Sequence, residues 1–370
     1  MKHPSLFLDW YIKVPKVQHD FRSSGIMNFR HSLHLSEIDL SLNYAHGNPE
    51  ATQVIARRYN VKPENVFLSS EGTSGQNARI VRYIAEKNPR RNEAIVEFPT
   101  YEPLLRQVQE HFPRVKRLER TEKGSYELNA DALRKLVSEK TALIVFTNPH
   151  APSGAITTSE QIGEMTDLAH ECGSYVFCDE IYAEFDRRLV PTVFSVSPEN
   201  GITVSSFTKA YGLGGLKLGV ALAPKTVVDE LYVDVLNTVG NSANVVQIIA
   251  ARLLGRDIEQ LEIYKHRWDS VRIEAERWLQ EQKLDYFPNK VGVTYWVKLP
   301  IKDTYGWING HAIANHSLAV VPGTFFLFRD GYDLKQSRMI RLSLGAVDPD
   351  WSDSLEAGLA SLEKAITSYK

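Results

Sequence analysis

The sequence predicts an α/β protein, with a doubly wound, mostly parallel sheet in a large domain and a smaller α+β domain beside it. Two observations predict the sheet. Short apolar segments alternate with amphipathic helical stretches between about residues 65 and 225. The apolar segments are continuous runs of Val, Ile and Phe, which a sheet covered on both faces requires. The smaller domain is predicted because this pattern stops after about residue 225.

The elements of the large domain follow from these runs. Strands are predicted, in chain order, at 65–69, 93–98, 141–146, 175–178, 202–206 and 218–223. Helical stretches are predicted between them, such as 75–87, 102–111, 130–138 and 159–172. Strands that alternate with helices of this length indicate βαβ units, and hence parallel strands.

The C-terminal third has a different pattern. A long helical region is predicted from about 226 to 283, with an interruption near 240–242. Strands follow at 291–299, 319–321 and 339–344, and residues 348–369 are predicted to form a closing helix. These elements indicate a smaller α+β unit.

Composition narrows the classes of function. The 370 residues carry a net charge of −2 and are 43% hydrophobic, which is typical of a soluble protein and argues against nucleic acid as a partner. Cys172 and Cys178 provide neither a disulfide framework nor a metal site, and two buried thiols in a reducing cytoplasm are expected. Neither a signal peptide nor a membrane-spanning run is expected, so the predicted location is cytoplasmic, without a membrane partner.

Polar, glycine and aromatic residues follow five of the predicted strands. They are Gly72, Thr73 and Ser74, then Tyr101, Asn148, Asp179, and finally Ser206 with Lys209. Ligands of doubly wound sheets bind outside the carboxyl ends of the strands. The sequence therefore predicts one site at that edge of the sheet.

Lys209 is the most informative of these residues. It follows a buried apolar strand, where a lysine is costly unless its amine has a function. One suitable function is a Schiff base with an aldehyde cofactor, for which a desolvated amine is reactive. The alternative is a surface lysine in a glycine-rich turn.

The ordered motifs resemble a known family. Asp179-x-x-Tyr182 precedes Ser206-x-x-Lys209, and a basic residue, Lys217, stands eight positions after the lysine. This order is similar to that of fold-type I pyridoxal 5'-phosphate (PLP) enzymes, specifically the class I/II, aspartate aminotransferase-like family, over roughly residues 40–347. The resemblance implies a large PLP-binding domain at 41–245, a small domain at 246–370, and an N-terminal segment, 1–40, that packs with the small domain.

The resemblance assigns roles at the reacting end of the cofactor. Lys209 would form the Schiff base and move a proton from the substrate Cα to the C4′ carbon of the cofactor. Asp179 would keep the pyridine nitrogen protonated, because opposite charges in a dry site favour the charged forms. The neighbouring Glu180 would face the other way, and the hydroxyl of Tyr182 would bond the phenolate oxygen. A capping aspartate and a half-buried tyrosine are the alternatives.

A phosphate site is expected where Gly72, Thr73 and Ser74 precede an amphipathic helix. Free backbone N–H groups and the helix dipole attract an anion there, although such residues also cap helices that bind nothing. The resemblance adds Ser206 and Lys217 to this site. The family usually has arginine in place of Lys217, and lysine lacks the two-pronged hydrogen bonding of that side chain.

Three further residues match the family. Tyr101 would stack on the pyridine ring, and Arg341 would bind the substrate α-carboxylate. Tyr44 would reach the phosphate of the neighbouring subunit, which implies a homodimer with shared active sites. An ordinary turn tyrosine and a structural ion pair are the alternatives for Tyr101 and Arg341.

One position departs from the family. The motif Asn-Pro-x-Asn has its second asparagine replaced by Ala151, which cannot donate a hydrogen bond to the cofactor or substrate. His150 or a water molecule could take over that contact. The departure leaves the type of PLP reaction open.

The sequence thus favours a PLP-dependent aminotransferase that exchanges an amino group between an α-amino acid and a 2-oxo acid by a ping-pong mechanism. A PLP-dependent decarboxylase or C–S/C–O lyase on the same scaffold is the nearest alternative, and a non-catalytic PLP-fold sensor is the second. The substrate side chain stays open, because a second cation cannot be placed among Arg22, Arg30 and Arg329.

Overall fold

The computed structural model describes residues 5–27, 38–39, 41–329, 331, 333–350 and 352–369. The strands are β1 (His19–Phe21), β2 (Val66–Ser69), β3 (Glu93–Phe98), β4 (Arg114–Glu119), β5 (Thr141–Thr147), β6 (Tyr175–Asp179), β7 (Gly201–Ser205), β8 (Gly219–Leu222), β9 (Asp285–Phe287), β10 (Thr294–Lys298), β11 (Leu318–Pro322) and β12 (Met339–Ser343). The helices are α1 (Leu6–Lys13), α2 (Pro49–Tyr59), α3 (Gly72–Lys87), α4 (Glu102–His111), α5 (Ala130–Leu136), α6 (Ser159–Glu171), α7 (Val193–Val196), α8 (Lys225–Val239), α9 (Asn244–Gly255), α10 (Ile258–His266), α11 (Trp268–Glu281), α12 (Thr304–Trp307), α13 (Ile313–His316) and α14 (Ser352–Thr367).

The larger sheet has seven strands in the order β2-β8-β7-β6-β5-β3-β4. The strands from β7 to β4 pair in parallel, whereas β8 is antiparallel to both of its neighbours. Strand β2 therefore runs in the same direction as β7. The carboxyl ends of β2, β3, β5, β6 and β7 thus lie at one edge, and the predicted mostly parallel α/β sheet is confirmed.

Helices cover both faces of this sheet. Neighbouring residues of β3 show the division, because successive side chains of a strand point to opposite faces. Val96 belongs to the same apolar cluster as Ile80 of α3. Ile95 belongs to another cluster, with Ile162 of α6. All seven residues of β5 are buried, which explains why the strand is a continuous apolar run.

The smaller sheet has five strands in the order β1-β11-β12-β10-β9. Strand β1, from the N-terminal segment, pairs in parallel with β11, and the other pairs are antiparallel. The predicted helical region comprises the four helices α8 to α11, and the break after α8 falls at Gly240, whose φ is +79°. The division of the chain at residues 40 and 245 stays a prediction.

Several elements lie outside the predicted set: α1, β1, α2, β4, α7, β9, α12 and α13. Strand β4 is an edge strand in which only Leu118 is fully buried, and four of its six residues are charged. Such a sequence lacks the apolar run by which the other strands are recognised. No helix within the described ranges is long and apolar enough to cross a bilayer.

Candidate active site

A cavity of about 360 Å³ lies at the carboxyl edge of the larger sheet. It is lined by nine residues that the sequence predicted for a site: Gly72, Thr73, Ser74, Tyr101, Asp179, Tyr182, Lys209, Lys217 and Arg341. Ala151, the position that departs from the family motif, also lines it. Residues that were not predicted to bind a ligand complete the wall: Phe7, Leu8, Tyr11, Arg22, Ser23, Ser24, Glu71, Asn77, Thr147, Ile181 and Thr208. The structure therefore brings residues from five strand ends, the N-terminal segment and β12 to one place.

Lys209 lies just after β7, on the wall of this cavity. Burial lowers the pKa of its amine; Tyr182 and Asp179 act to raise that pKa, whereas Arg341 and Lys217 lower it. A lowered pKa increases the share of neutral amine, which is the nucleophilic form. Four candidate site residues thus act electrostatically on one amine.

The N-terminal segment packs directly against this lysine. The backbone N–H of Ile26 donates to the carbonyl of Lys209 at 2.8 Å. A Cβ atom on Gly25 would come within 2.7 Å of the Lys209 Cδ and 3.0 Å of its Cα. Only glycine allows this approach without a shift of the lysine.

Asp179 ends β6 and is 7% exposed. Its carboxylate accepts hydrogen bonds from the side-chain amide of Asn77 at 2.8 Å and from the backbone of Ile181 at 3.1 Å. Burial raises the pKa of Asp179, and these two bonds oppose the rise. A basic carboxylate of this kind suits a partner that shares a proton with it.

Glu180 faces the opposite side, as the alternation of a strand requires. Its carboxylate accepts from the hydroxyl of Thr203 at 2.9 Å and from the backbone of Val193 at 2.8 Å. It also lies 3.3 Å from the guanidinium of Arg187. Glu180 is therefore a structural acid, and Asp179 is the one at the cavity.

The N-terminus of α3 has the features of the predicted anion site. Its N-cap residue, Glu71, makes no capping bond and instead pairs with Arg79 at 2.9 Å. The N–H of Gly72 donates to the carbonyl of Lys217 at 2.7 Å, which fixes the lysine beside the helix. Gly72 has a φ of +67°, a conformation that glycine adopts readily. Uncapped N–H groups beside a cation are suited to a phosphate.

Ser206 is close to this site without lining the cavity. It is fully buried, and its hydroxyl lies 2.7 Å from that of Thr208, which does reach the cavity wall. Thr208 was not among the predicted site residues. A hydroxyl two residues beyond a motif serine carries no separate signal in the sequence.

Arg341 lies in the middle of β12 and is 3% exposed. Its guanidinium carbon is 5.2 Å from the ring centre of Phe326 and 5.7 Å from that of Phe7. A weak bond of 3.5 Å joins it to the carbonyl of Arg22. The two rings hold the charge in place and leave its hydrogen-bonding edge for an anion.

The three tyrosines differ in position. Tyr101 precedes α4 and contacts the ring of Phe7 edge to face at 5.7 Å, and burial raises the pKa of its hydroxyl. Tyr182 follows β6 on the cavity wall. Tyr44 is partly exposed and does not line this cavity, so its predicted contact with a second subunit stays a prediction.

The loop after β5 explains what surrounds Ala151. The amide of Asn148 is used inside the protein, where it donates to the carbonyl of Thr157 at 3.2 Å. His150 is 1% exposed, and its ring nitrogens lie 2.7 Å from the hydroxyl of Ser153 and 3.0 Å from the carbonyl of Pro99. Both nitrogens are engaged away from the cavity, so His150 does not replace the missing asparagine.

The residues present fit PLP. Three polar atoms on the cavity wall are buried and have no hydrogen-bond partner among the described residues: Thr73 Oγ1, Asn77 Oδ1 and Arg341 Nε. Buried polar groups are normally paired, so such atoms mark places where a ligand can bond. They lie at the predicted phosphate site, beside Asp179, and at the predicted carboxylate site.

Asn77 and the N-terminal residues were missed by sequence analysis. Asn77 is one of several polar residues of α3, and it meets Asp179 across 102 positions of the chain. The spacing of Phe7, Leu8 and Tyr11 is helical, and this was the one available signal that α1 has a face to bury. The surface that covers this face depends on tertiary packing.

Comparisons with known proteins bear on the family and the fold. A model of the aminotransferase class I and II family matches residues 36–355. The aspartate aminotransferase of Musicola paradisiaca (strain Ech703) is 28% identical over 265 residues, which are 67% of this chain and 62% of that protein. The match therefore spans less than two thirds of the length of that relative.

Two solved structures share the fold over almost the whole chain. A PLP-dependent aminotransferase from Streptococcus suis has a TM-score of 0.84 at 22% identity, with 100% of this chain and 99% of that chain covered. A PLP-dependent cyclase, OrfR, has a TM-score of 0.82 at 18% identity, with 99% and 98% covered. The fold is that of these enzymes, and the chain belongs to the class I and II aminotransferase family.

Proposed function

We propose that the protein is a PLP-dependent aminotransferase that exchanges an amino group between an α-amino acid and a 2-oxo acid by a ping-pong mechanism. The observation that carries the proposal is that Lys209, Asp179 and Arg341 line one cavity, each from a different strand end or strand. These residue types are an amine, an acid and a carboxylate-binding cation, which are the groups that transamination needs.

Each residue would have a separate task. Lys209 would hold the cofactor and, once displaced by the donor, its Nζ would take the proton from the substrate Cα. The raised pKa of Asp179 would favour a shared proton with the cofactor ring nitrogen. Tyr101 and Tyr182 would orient the ring, and Arg341 would bind the α-carboxylate. When bound, PLP supplies the electron sink that stabilises the negative charge at that carbon.

The remaining contacts would bind the phosphate. Gly72, Thr73 and Ser74 offer the N-terminus of α3, and Lys217 adds a positive charge. Ser206 would act through Thr208, with which it shares a hydrogen bond.

The test uses purified protein loaded with PLP. With a panel of amino donors, the absorbance of the aldehyde form should fall, and it should return when a 2-oxo acid is added. Lys209→Ala should abolish both changes. Lys225→Ala is the matched control, because Lys225 is exposed and pairs with Asp229 on the surface. Absence of any spectral change with every donor would refute the proposal.

A second candidate keeps the cofactor and changes the product. Ala151 lines the cavity without a donor, so the family contact of this position to cofactor and substrate is missing. A decarboxylase or a C–S/C–O lyase would tolerate that loss, and the OrfR cyclase shows that this fold also carries PLP reactions of another type. Release of carbon dioxide or ammonia without a 2-oxo acid would favour this candidate. A non-catalytic sensor would instead keep its function in the Lys209→Ala variant.

We further propose a homodimer in the cytoplasm. Val233, Leu236 and Val239 lie three positions apart on α8 and are 48%, 40% and 56% exposed, which gives one helix face an apolar stripe. Tyr44 would reach the second active site from such a dimer. Light scattering of the purified protein tests the dimer, and cell fractionation tests the location.

A further inference from the structure

Helix α1 contributes a face to the cavity described above. Phe7, Leu8 and Tyr11 all line the cavity, and Tyr11 lies four positions after Phe7 and three after Leu8, which makes it a neighbour of both on the helix surface. Leu8 is 41% exposed, so it lies at the mouth, whereas Phe7 is 5% exposed and lies deeper. An aromatic and aliphatic surface therefore covers one side of the cavity.

Glu102, a buried acid at the start of α4, binds the N-terminus of α1. The carboxylate of Glu102 accepts from the Ser5 hydroxyl at 2.6 Å and from the backbone N–H groups of Leu6 and Phe7 at 2.9 and 2.7 Å. Arg106 contacts the same carboxylate. A carboxylate at a helix N-terminus is favoured by the helix dipole and satisfies N–H groups that lack partners within the helix.

This attachment couples α1 to the rest of the site. Glu102 follows Tyr101 directly in the chain, so the predicted stacking residue and the carboxylate that binds the N-terminus of α1 share one backbone segment. At the other end of the helix, the indole N–H of Trp10 donates to the side chain of Asn309 at 2.9 Å. The position of α1 over the cavity is thus fixed from two sides.

The charges of the cavity wall limit what this face can receive. Arg22 lines the cavity, but its guanidinium bonds both carboxylate oxygens of Asp20, at 2.8 and 2.7 Å, and the carbonyl of Tyr11 at 3.0 Å. Its charge is therefore neutralised. Within the described ranges, the other cations on the wall are Lys209, Lys217 and Arg341, which the proposed function already uses.

We infer that α1 recognises the substrate side chain, that this side chain is an uncharged aromatic or large aliphatic group, and that Glu102 is the positioning residue that holds α1 in place. The inference rests on the proposed function for the orientation of the substrate, with its α-carboxylate at Arg341. An acidic side chain would meet the rings of α1 and a neutralised arginine, and no described residue of the wall offers it a further cation to offset its desolvation.

The first test measures binding without turnover. Dissociation constants of 3-phenylpropionate and succinate, which lack an amine, are measured by calorimetry on the PLP-loaded protein. We expect 3-phenylpropionate to bind at least about tenfold more tightly, because only it can bury its distal group against α1. Equal binding, or tighter binding of succinate, would overturn the inference.

Two variants locate the effect. Glu102→Ala should reduce the preference for 3-phenylpropionate about tenfold, because α1 then loses the carboxylate that binds its N-terminus and shifts over the cavity. Glu102→Gln should recover part of the preference. Leu8→Arg, at an exposed position that folding tolerates, should tighten succinate about fivefold. Glu93→Gln is the control: Glu93 is also buried, but it bonds Lys116 at 2.8 Å at the opposite end of β3, and its loss should leave the preference unchanged.

Turnover separates the two proposals. If donors are transaminated with phenylalanine favoured over aspartate, both stand. Efficient turnover with aspartate favoured would overturn the inference and leave the proposed function intact. If no donor is turned over but 3-phenylpropionate is still preferred, the proposed function fails and the recognition by α1 stands. An unchanged preference in Glu102→Ala that is folded would refute the positioning role.

Discussion

Replacing Asp179 with asparagine should stabilise the apoprotein and should remove most of the turnover of the PLP-loaded protein. The carboxylate is 7% exposed, and burial raises its pKa, so the ionised form is disfavoured in the fold. Asparagine has the same shape and carries no charge. The substitution therefore removes a buried charge, which the apoprotein does not need and the proposed chemistry does.

The magnitude follows from the hydrogen bonds that survive. The oxygen that accepts from the Ile181 backbone is retained in asparagine. The new amide nitrogen would face the amide nitrogen of Asn77, but a rotation of Asn77 presents its Oδ1, which has no partner among the described residues. With the number of bonds kept, removal of the charge should add about 1–2 kcal/mol to the free energy of unfolding. In a chain of this length that raises the melting temperature by about 1–3 °C.

The assay compares melting temperatures of the apoproteins by scanning fluorimetry, and turnover of the PLP-loaded forms. Because the pKa of Asp179 is raised in the fold, its cost to stability is present at neutral pH and is lost as the pH falls through that pKa. The advantage of the variant should shrink accordingly toward pH values near 4. Turnover should fall about 10²–10³-fold. An exposed control on α6, Asp167→Asn, should change neither quantity. A lower melting temperature for Asp179→Asn than for the wild type would refute the reasoning.

Three other outcomes are expected. Burial lowers the pKa of Lys209 from 10.5, so its labelling by PLP and borohydride should rise with pH through a midpoint below that value. Asp229 raises the pKa of Lys225, so the labelling midpoint of Lys225 should lie above 10.5. Peptide mapping measures both midpoints, and equal midpoints would contradict the burial of Lys209. Lys217→Arg should tighten PLP binding about tenfold, since arginine can make two parallel hydrogen bonds to a phosphate. Lys217→Gln should weaken binding by a similar factor, because the positive charge is lost. Equilibrium dialysis measures both affinities, and unchanged binding in both variants would show that Lys217 does not bind the phosphate. Glu97→Gln should lower the free energy of unfolding by about 3–5 kcal/mol, because the buried guanidinium of Arg120, which lies 2.7 Å from the Glu97 carboxylate, would lose its counter-charge. Urea unfolding measures this free energy, and a loss below about 1 kcal/mol would contradict the ion pair.

Most strands of the large sheet could be predicted because each is recognised from its own run of apolar residues. The apolar run of β5 is short and continuous, which is typical of a strand buried on both faces. The convergence of Asp179 and Lys209 then follows from the common direction of parallel strands. Strand β4 could not be found in the same way, because its charged residues resemble a loop.

The rest of the site could not be predicted because it depends on distant pairs. Phe7 is placed by a carboxylate 95 positions later, that of Glu102. Asn77 acquires its role only when the sheet brings Asp179 to it. The neutralisation of Arg22 by Asp20 is close in sequence, yet its significance appears only once Arg22 is known to line the cavity.

The parallel pairing of β1 with β11 has a consequence for biosynthesis. The backbone of Gln18 bonds the hydroxyl of Ser317, 299 positions later, and β1 begins at the next residue. On the ribosome, the segment that carries the cavity's aromatic wall must wait for nearly the whole chain before its partner strand emerges. The larger sheet can form during synthesis, since its last strand ends at Leu222. A nascent chain would therefore complete the strands that carry the proposed cofactor site well before β1 could pair with β11.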